Sequence, residues 1–334
     1  MSEVLDYLRI ARAQTAAVEG AGFPLAAWIG GAPLWILPLF ALFGIFAHFG
    51  GFGQNSITDL EYDRRDPNKQ DHPVVAGRVR VSEANAFVYG CQILGILIFV
   101  MIGISHLALT TLVLPCALLG GYVLLGTAYN LYGKRNKPLA VLEISGAFTL
   151  AFLAAGTLWT GHATTLVWTV GAYAFVFTAF QIALAGEVKE LAQAGERNLL
   201  RRLGSRILPE EWFWPGILVV VFGFILSFGK AITLGAVAWE VDGSWWYVAV
   251  FFVSWMSFTV YTSLLLRPGP FDRGHRVRVM GIGEAGSYLL LVLALAPALW
   301  PWLWVPFIVL PVLWFVTLNR ALWSRTGSAW APGV

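Results

Sequence analysis

Residues 33–63 read Pro33-Leu-Trp-Ile-Leu-Pro-Leu-Phe-Ala-Leu-Phe-Gly-Ile-Phe-Ala-His48-Phe-Gly-Gly-Phe-Gly-Gln-Asn55-Ser-Ile-Thr-Asp59-Leu-Glu-Tyr-Asp63. From 33 to 58 there is no Asp, Glu, Lys or Arg, and the run exceeds the roughly 20 residues that a helix needs to cross the hydrocarbon core of a bilayer. The acids begin at Asp59, directly after the apolar run. A membrane span that ends in an acidic, Asn-led turn is therefore predicted. Asn55, Asp59 and Asp63 are four apart, which on a helix stacks their side chains on one face at intervals of about 6 Å. Hard oxygen donors in a row suit Mg²⁺, which takes one or two protein carboxylates and completes its shell with water and substrate phosphates. Arg64, Lys69 and Arg78 follow closely and carry the charge to hold those phosphates. A cluster of acids and bases at a helix end also arises as a plain solvated loop.

The same pattern of long apolar runs continues through the chain. Of its 334 residues, 58% are hydrophobic and 12% charged, with a mean hydropathy of +0.70. A soluble globular domain carries about a quarter charged residues, so an ordinary soluble enzyme is excluded. Spans are predicted near 6–30, 33–58, 84–104, 107–128, 138–160, 163–186, 212–233, 244–266, 279–299 and 302–322. Arg9, Arg12 and Glu19 interrupt the first, and the count falls to nine if that segment lies along the surface. The expected fold is thus an all-α integral membrane protein, a single polytopic domain over 1–334 with a bundle of nine to ten transmembrane helices. Met1-Ser-Glu-Val-Leu-Asp6 has no basic start before a compact apolar core, which predicts no removable signal peptide. Cys91 and Cys116 fall within spans and read as small buried hydrophobes.

In the ten-span arrangement, alternate connections lie on opposite sides. One set carries Arg64, Arg65, Lys69, Arg78, Arg80, Lys134, Arg135, Lys137, Lys189, the arginines from 197 to 206, those from 267 to 278, and both chain ends. Only Lys230 falls in the opposite set. By the bias of basic residues toward the cytoplasm, the charged set faces inward, giving a multi-pass protein of the cell membrane with a polar pocket facing the cytoplasm. The segregated charge concerns topology, and no nucleic-acid partner is expected. The cytoplasmic connections alternate between long, mixed-charge ones and shorter basic ones, which suggests a weak duplication with a period of four helices.

A second acidic pair, Glu187 and Glu190, stands where the sixth span ends and shares a helix face. If spans two and six are neighbours, the two acidic clusters face one pocket, and metal ions held by them would promote ionisation of a polyphosphate by Lewis-acid stabilisation of the departing oxygens.

The Asn55, Asp59, Asp63 ladder, followed by His72-Pro73-Val-Val-Ala-Gly77-Arg78-Val79 and Ala84, resembles the first signature of the UbiA superfamily of intramembrane prenyltransferases. Tyr129-Asn-Leu-Tyr-Gly-Lys134-Arg135 resembles that family's tyrosine and basic pair. Glu187 through Gly195 to Leu203-Gly204 resembles its second acidic motif. The resemblance spans roughly the first 210 residues. It implies a bundle, usually of nine helices, with a lipid-open cavity, and Mg²⁺ held by the two acidic motifs at Asn55, Asp59, Asp63 and Glu187, with Glu190 as the candidate substitute for the second motif's other acid. It further implies a prenyl diphosphate ionised there, with Asp59, Asp63 and Glu187 as catalytic groups and Arg64, Lys69, Arg78, Tyr129, Lys134 and Arg135 on the diphosphate. Two positions depart from the pattern. The second acid of the second motif falls on Leu191, with Glu190 one residue early, and the basic residue before the first motif's proline is replaced by Asp71-His72.

The function expected is transfer of an isoprenoid to a hydrophobic or aromatic acceptor by a Mg²⁺-dependent enzyme in contact with membrane lipid. A terpene cyclase of the same superfamily is the alternative, and a transporter or lipid-binding protein is the alternative from another class. Glu143 and Glu284 lie just inside spans, where ionisable groups are costly and often functional. His48 and His106 lack partners at ligand spacing and read as packing residues. The Trp residues, among them Trp245, Trp246, Trp300 and Trp302, read as an interfacial belt.

Overall fold

A computed structural model describes residues 3–66, 69–133, 136–192, 198–243, 245–299 and 301–323. Among them nine helical segments are long and apolar enough to cross a membrane. They are Leu34–Thr58, Val81–Ile104, Val113–Leu131, Pro138–Thr157, Thr165–Lys189, Ile217–Asp242, Trp246–Leu265, Arg273–Ala294 and Val305–Leu322. The protein is a multi-pass, helical, integral membrane protein, and its exposed apolar side chains, such as Met101, Leu124, Ile217 and Met256, match a lipid-facing exterior.

The segment expected to span at 6–30 is corrected by the structure. It forms α1 (Glu3–Ile10), a turn, and α2 (Ala17–Ile29), whose 13 residues are too few for a span by themselves. Arg12 adopts a left-handed backbone (φ 49°) in that turn, and helical hydrogen bonding cannot run through it.

Contacts divide the chain into two compact units. The first comprises Met1–Leu131, Ala151–Val167 and Trp302–Val334, and the second Tyr132–Leu150 and Trp168–Pro301. In the first unit α2 packs on α3 (Leu37–Thr58), which runs into a further turn, α4 (Leu60–Asp63), and α3 also packs on α5 (Val81–Ile104). Glycines set these approaches, as is usual where lipid removes the hydrophobic drive between helices. A Cβ on Gly44 would stand 2.4 Å from the Glu19 carbonyl oxygen, and one on Gly53 would stand 2.4 Å from Val88. α6 (Val113–Leu131) joins α3 through the Asn130 amide, which donates to Gln54 at 2.8 Å. Two contacts tie the chain start to α14 (Leu310–Trp323): Arg9 Nε donates to the Leu322 carbonyl at 2.9 Å, and Trp314 Nε1 to that of Ala13 at 2.7 Å.

The rest of the helices, in chain order, are α7 (Lys137–Thr157), α8 (Thr165–Phe180), α9 (Glu187–Lys189), α10 (Leu199–Arg202), α11 (Ile217–Asp242), α12 (Trp246–Leu265) and α13 (Arg273–Ala294). In the second unit α11 packs on α12 and α12 on α13. α11 starts after Pro215-Gly216 and stops at Gly243 in the left-handed conformation, a common helix stop. The expected start of that span at 212 is corrected: Trp212–Trp214 is a strand, β2, pairing antiparallel with β1 (Arg206–Leu208) and β3 (Gly269–Pro270). Buried Arg276 staples this end, donating from Nη2 to the Arg267 carbonyl at 2.7 Å and lying 4.8 Å over the Phe213 ring.

Lys230, expected in a connection, is also corrected. It sits in the middle of α11, fully buried, with Nζ 2.8 Å from Ser287 Oγ and 3.9 Å from the centre of the Phe258 ring. A midspan residue belongs to neither side and does not count against the charge bias. His106 behaves as read, stacked on Trp159 at 3.9 Å with Nε2 3.0 Å from that residue's carbonyl oxygen. Cys91 is buried and Cys116 half-buried, both as free thiols.

Candidate active site

The ladder forms as its spacing requires. The Asp59 amide donates to the Asn55 carbonyl at 3.0 Å and the Asp63 amide to the Asp59 carbonyl at 2.9 Å, so the helical path continues through Asp59 and the three side chains share a face. Asn55 Nδ2 donates to Asp59 Oδ2 at 3.2 Å. This turns the amide's donor toward the carboxylate and leaves its oxygen as a hard donor beside it. Asp63 is buried and accepts from Lys69 Nζ at 2.7 Å. Burial pushes the Asp63 carboxyl above its ordinary range, Lys69 opposes that shift, and the nearby Asp59 charge adds to it.

The expected diphosphate ligands separate into different environments. Arg64 is exposed, and Lys69 is already paired with Asp63. Arg78 joins two carboxylates: Nε lies 3.2 Å from Asp6 Oδ2 and Nη1 3.1 Å from Asp71 Oδ1. Asp71, which replaces the expected base before His72, thus serves to fix Arg78, and the network extends to Arg9, 3.6 Å from Asp71. Tyr129 stands in the last turn of α6, half-buried. Lys134, Arg135 and Gly195 lie outside the described residues.

Arg12 was not singled out from the sequence, yet it bears on this site. Its guanidinium lies 5.6 Å over the ring of Phe52, which shares the ladder's face, and its charge acts on both Asp63 and His72. His72 is held neutral. Burial, then the positive charges of Arg12, Lys69 and Arg78, push it down to about 3.

The second acidic segment belongs to the other unit. α8 passes through a π-helical stretch, Gln181–Gly186, into α9, which ends at Glu190 (φ −95°, ψ 1°). π-helical insertions recur at functional sites because they re-aim the residues that follow. Glu190, one residue before the position of the missing acid at Leu191, is thus the residue at which the helix stops. Leu191 itself is fully buried among apolar side chains. Glu187 is buried, and its Oε2 accepts from the Leu199 amide at 2.5 Å. Asn198 closes the segment: Nδ2 donates to the Glu187 carbonyl at 2.7 Å, while Oδ1 caps α10 by accepting from the amides of Leu200 and Arg201. Arg201 Nε donates to the Leu191 carbonyl at 3.1 Å. Asn198 had no sequence signal beyond its capping position. Glu143 is buried in α7, against Gly133.

Among the described residues no three His, Cys, Asp or Glu side chains gather at metal-binding distance. Such a donor set does not enclose a metal alone; it suits a hard cation that takes one or two carboxylates and an amide oxygen, with substrate oxygens completing the shell.

Comparison with known proteins gives this geometry a context. Similar structures include a UbiA homologue from Aeropyrum pernix K1 (15% identity, TM-score 0.61, covering 86% of this chain and 97% of that one). They also include a UbiA homologue from Archaeoglobus fulgidus bound to GPP and Mg²⁺ (17%, 0.60, covering 87% and 99%) and a digeranylgeranylglyceryl phosphate synthase (19%, 0.59, covering 89% and 99%). At these identities they show a shared fold. No curated protein matches the sequence. The model of the UbiA prenyltransferase family matches residues 20–270, three quarters of the chain, and includes the ladder and Glu187. This chain belongs to the UbiA prenyltransferase family.

Proposed function

We propose that the protein is a Mg²⁺-dependent intramembrane prenyltransferase that ionises a prenyl diphosphate and passes the isoprenoid to a hydrophobic or aromatic acceptor. The observation that carries this reading is the Asn55, Asp59, Asp63 ladder, formed with its oxygen donors on one helix face at the end of a membrane span. The relative from Archaeoglobus fulgidus with GPP and Mg²⁺ supports it.

When bound, Mg²⁺ would neutralise charge on the diphosphate oxygens as they depart. Asn55, Asp59 and Asp63 would hold it, and Glu187 and Glu190 are the acids we assign to a second cation. Lys69 is poised to trade Asp63 for a substrate phosphate oxygen, since its Nζ already bridges toward the ladder. Arg64, Tyr129, Lys134 and Arg135 contribute further to diphosphate binding. Arg78 acts mainly by fixing the 71–79 loop through Asp6 and Asp71. The apolar helices shelter the isoprenoid tail and keep out water, which would quench the allylic cation. The whole chain works as one polytopic domain in the cell membrane, with the ladder at its cytoplasmic side, as the basic connections imply.

The test is incubation of the purified protein with labelled prenyl diphosphates and Mg²⁺, followed by identification of the products. A prenylated acceptor with released diphosphate is expected. A terpene hydrocarbon or alcohol with no acceptor would favour the cyclase alternative, and the absence of Mg²⁺-dependent diphosphate release would defeat the proposal.

A further inference from the structure

α2 and α3 bury an ionisable pair inside the first unit. Glu19 Oε2 lies 2.9 Å from His48 Nδ1, both side chains more than nine-tenths buried. Neither of these two atoms makes a hydrogen bond in this geometry. On the other ring edge, His48 Nε2 lies 3.1 Å from Thr15 Oγ and 3.3 Å from the Arg12 carbonyl, while Thr15 donates its own hydrogen to that carbonyl at 2.8 Å. Phe52 stacks on the imidazole at 4.2 Å. His48 lies within the span Leu34–Thr58, where an ionisable side chain is costly and is a functional candidate by default.

Its position sharpens the point. His48, Phe52, Asn55 and Asp59 are separated by four, three and four residues and so lie on one face of the same helix, with His48 about 10 Å deeper than Asn55. Moving inward from the acidic ladder, the first ionisable side chain on that face is therefore this histidine, and its hydroxyl partner Thr15 is only half-buried.

We propose that Glu19, His48 and Thr15 form a proton relay for a hydroxyl-bearing acceptor, an alcohol or a phenol, in the prenyl transfer proposed above, on which this inference rests. As the carbon–oxygen bond of the prenyl diphosphate breaks, its electron pair leaves with the diphosphate. The acceptor bonds to the allylic carbon and loses its O–H proton. That proton passes to Thr15 Oγ1 while the Thr15 hydrogen, turning away from the Arg12 carbonyl, passes to the free electron pair on Nε2 of the neutral His48. The imidazolium so formed has the Glu19 carboxylate 2.9 Å from Nδ1 and the Arg12 carbonyl 3.3 Å from Nε2. Glu19 acts on the relay as the counter-charge of that imidazolium. The other ionisable groups around the pair are Arg12, across the Phe52 ring, and Tyr122, whose hydroxyl donates to the Ala47 carbonyl at 3.3 Å.

The experiment measures two reactions of the full-length protein with prenyl diphosphate and Mg²⁺: diphosphate release without acceptor, and product formation with a panel of alcohols and phenols. His48→Gln, Glu19→Gln and Thr15→Val should each slow transfer at least about tenfold, the low end of what a positioned base contributes, with acceptor-free release close to wild type. Thr15→Ser, which keeps the hydroxyl, should transfer at close to the wild-type rate. Equal loss of both reactions, loss of fold in both Gln variants, or unchanged transfer would each overturn the relay. A wild-type protein that releases no diphosphate would instead remove the prenyltransferase reading, and the relay with it.

Discussion

Replacing Glu187 by Gln removes one negative charge and nearly preserves the side chain's shape. The fold should tolerate it, because the carboxylate accepts the Leu199 amide, and a Gln carbonyl oxygen can accept it as well. What is lost is the charge assistance of that bond, about 1 kcal/mol from the difference between charged and neutral hydrogen bonds. Asn198, which holds the Glu187 carbonyl at 2.7 Å and caps α10, is untouched. Catalysis should respond more strongly: if Glu187 holds the cation that meets the diphosphate, turnover falls at least about tenfold, or 1.4 kcal/mol of transition-state stabilisation. Glu190→Gln should have a comparable effect on turnover and less on stability, since Glu190 ends the helix half-buried. The assay pairs Mg²⁺-dependent diphosphate release with thermal unfolding of the detergent-solubilised protein. Wild-type turnover in Glu187→Gln would refute the metal role. A large fall in unfolding temperature that accounts for the activity loss would make the residue a structural acceptor only.

Three further outcomes are expected. Asp59→Ala and Asp63→Ala should both abolish diphosphate release, but Asp63→Ala should also destabilise, since it leaves the Lys69 ammonium without its 2.7 Å partner; thermal melts and activity separate the two effects. Gly44→Ala places a Cβ 2.4 Å from the Glu19 carbonyl oxygen, so α2 must move off α3 at a cost of about 1–3 kcal/mol, and an unchanged melting temperature would show that the helices are not this close. His72 is pushed down to about 3, so the folded protein prefers it neutral; stability is intact above about pH 6.5 and falls, by at most about 1.4 kcal/mol per pH unit, as pH drops toward 3. His72→Asn should flatten the upper part of that slope, and an equal slope in the variant would trace it to carboxylates instead.

The features legible in the sequence are those set by local pattern. Uninterrupted apolar runs gave nine of the expected spans, and the four-residue spacing of Asn55, Asp59 and Asp63 gave the ladder, because helical geometry alone fixes both. The errors arose where an apolar run does not specify a backbone. Trp212-Phe213-Trp214 counts as hydrophobic in either state, and only its pairing with β1 and with Gly269–Pro270 makes it a strand. The broken first segment depends on the left-handed turn at Arg12, which Arg has no intrinsic preference to form. Side-chain surroundings are hidden where the partner is remote in sequence: nothing local reveals that Arg78 meets Asp6, 72 residues away, or that His48 meets Glu19 on another helix.

Mg²⁺-dependent release of diphosphate from a prenyl diphosphate, compared between the wild-type protein and Asp59→Ala, tests the central claim most directly. Asp59 is the middle rung of the ladder and is tied to Asn55 at 3.2 Å. The account predicts release by the wild-type protein that rises with Mg²⁺ and vanishes in a folded Asp59→Ala variant. Equal release by the two proteins, or release that does not depend on Mg²⁺, would contradict it.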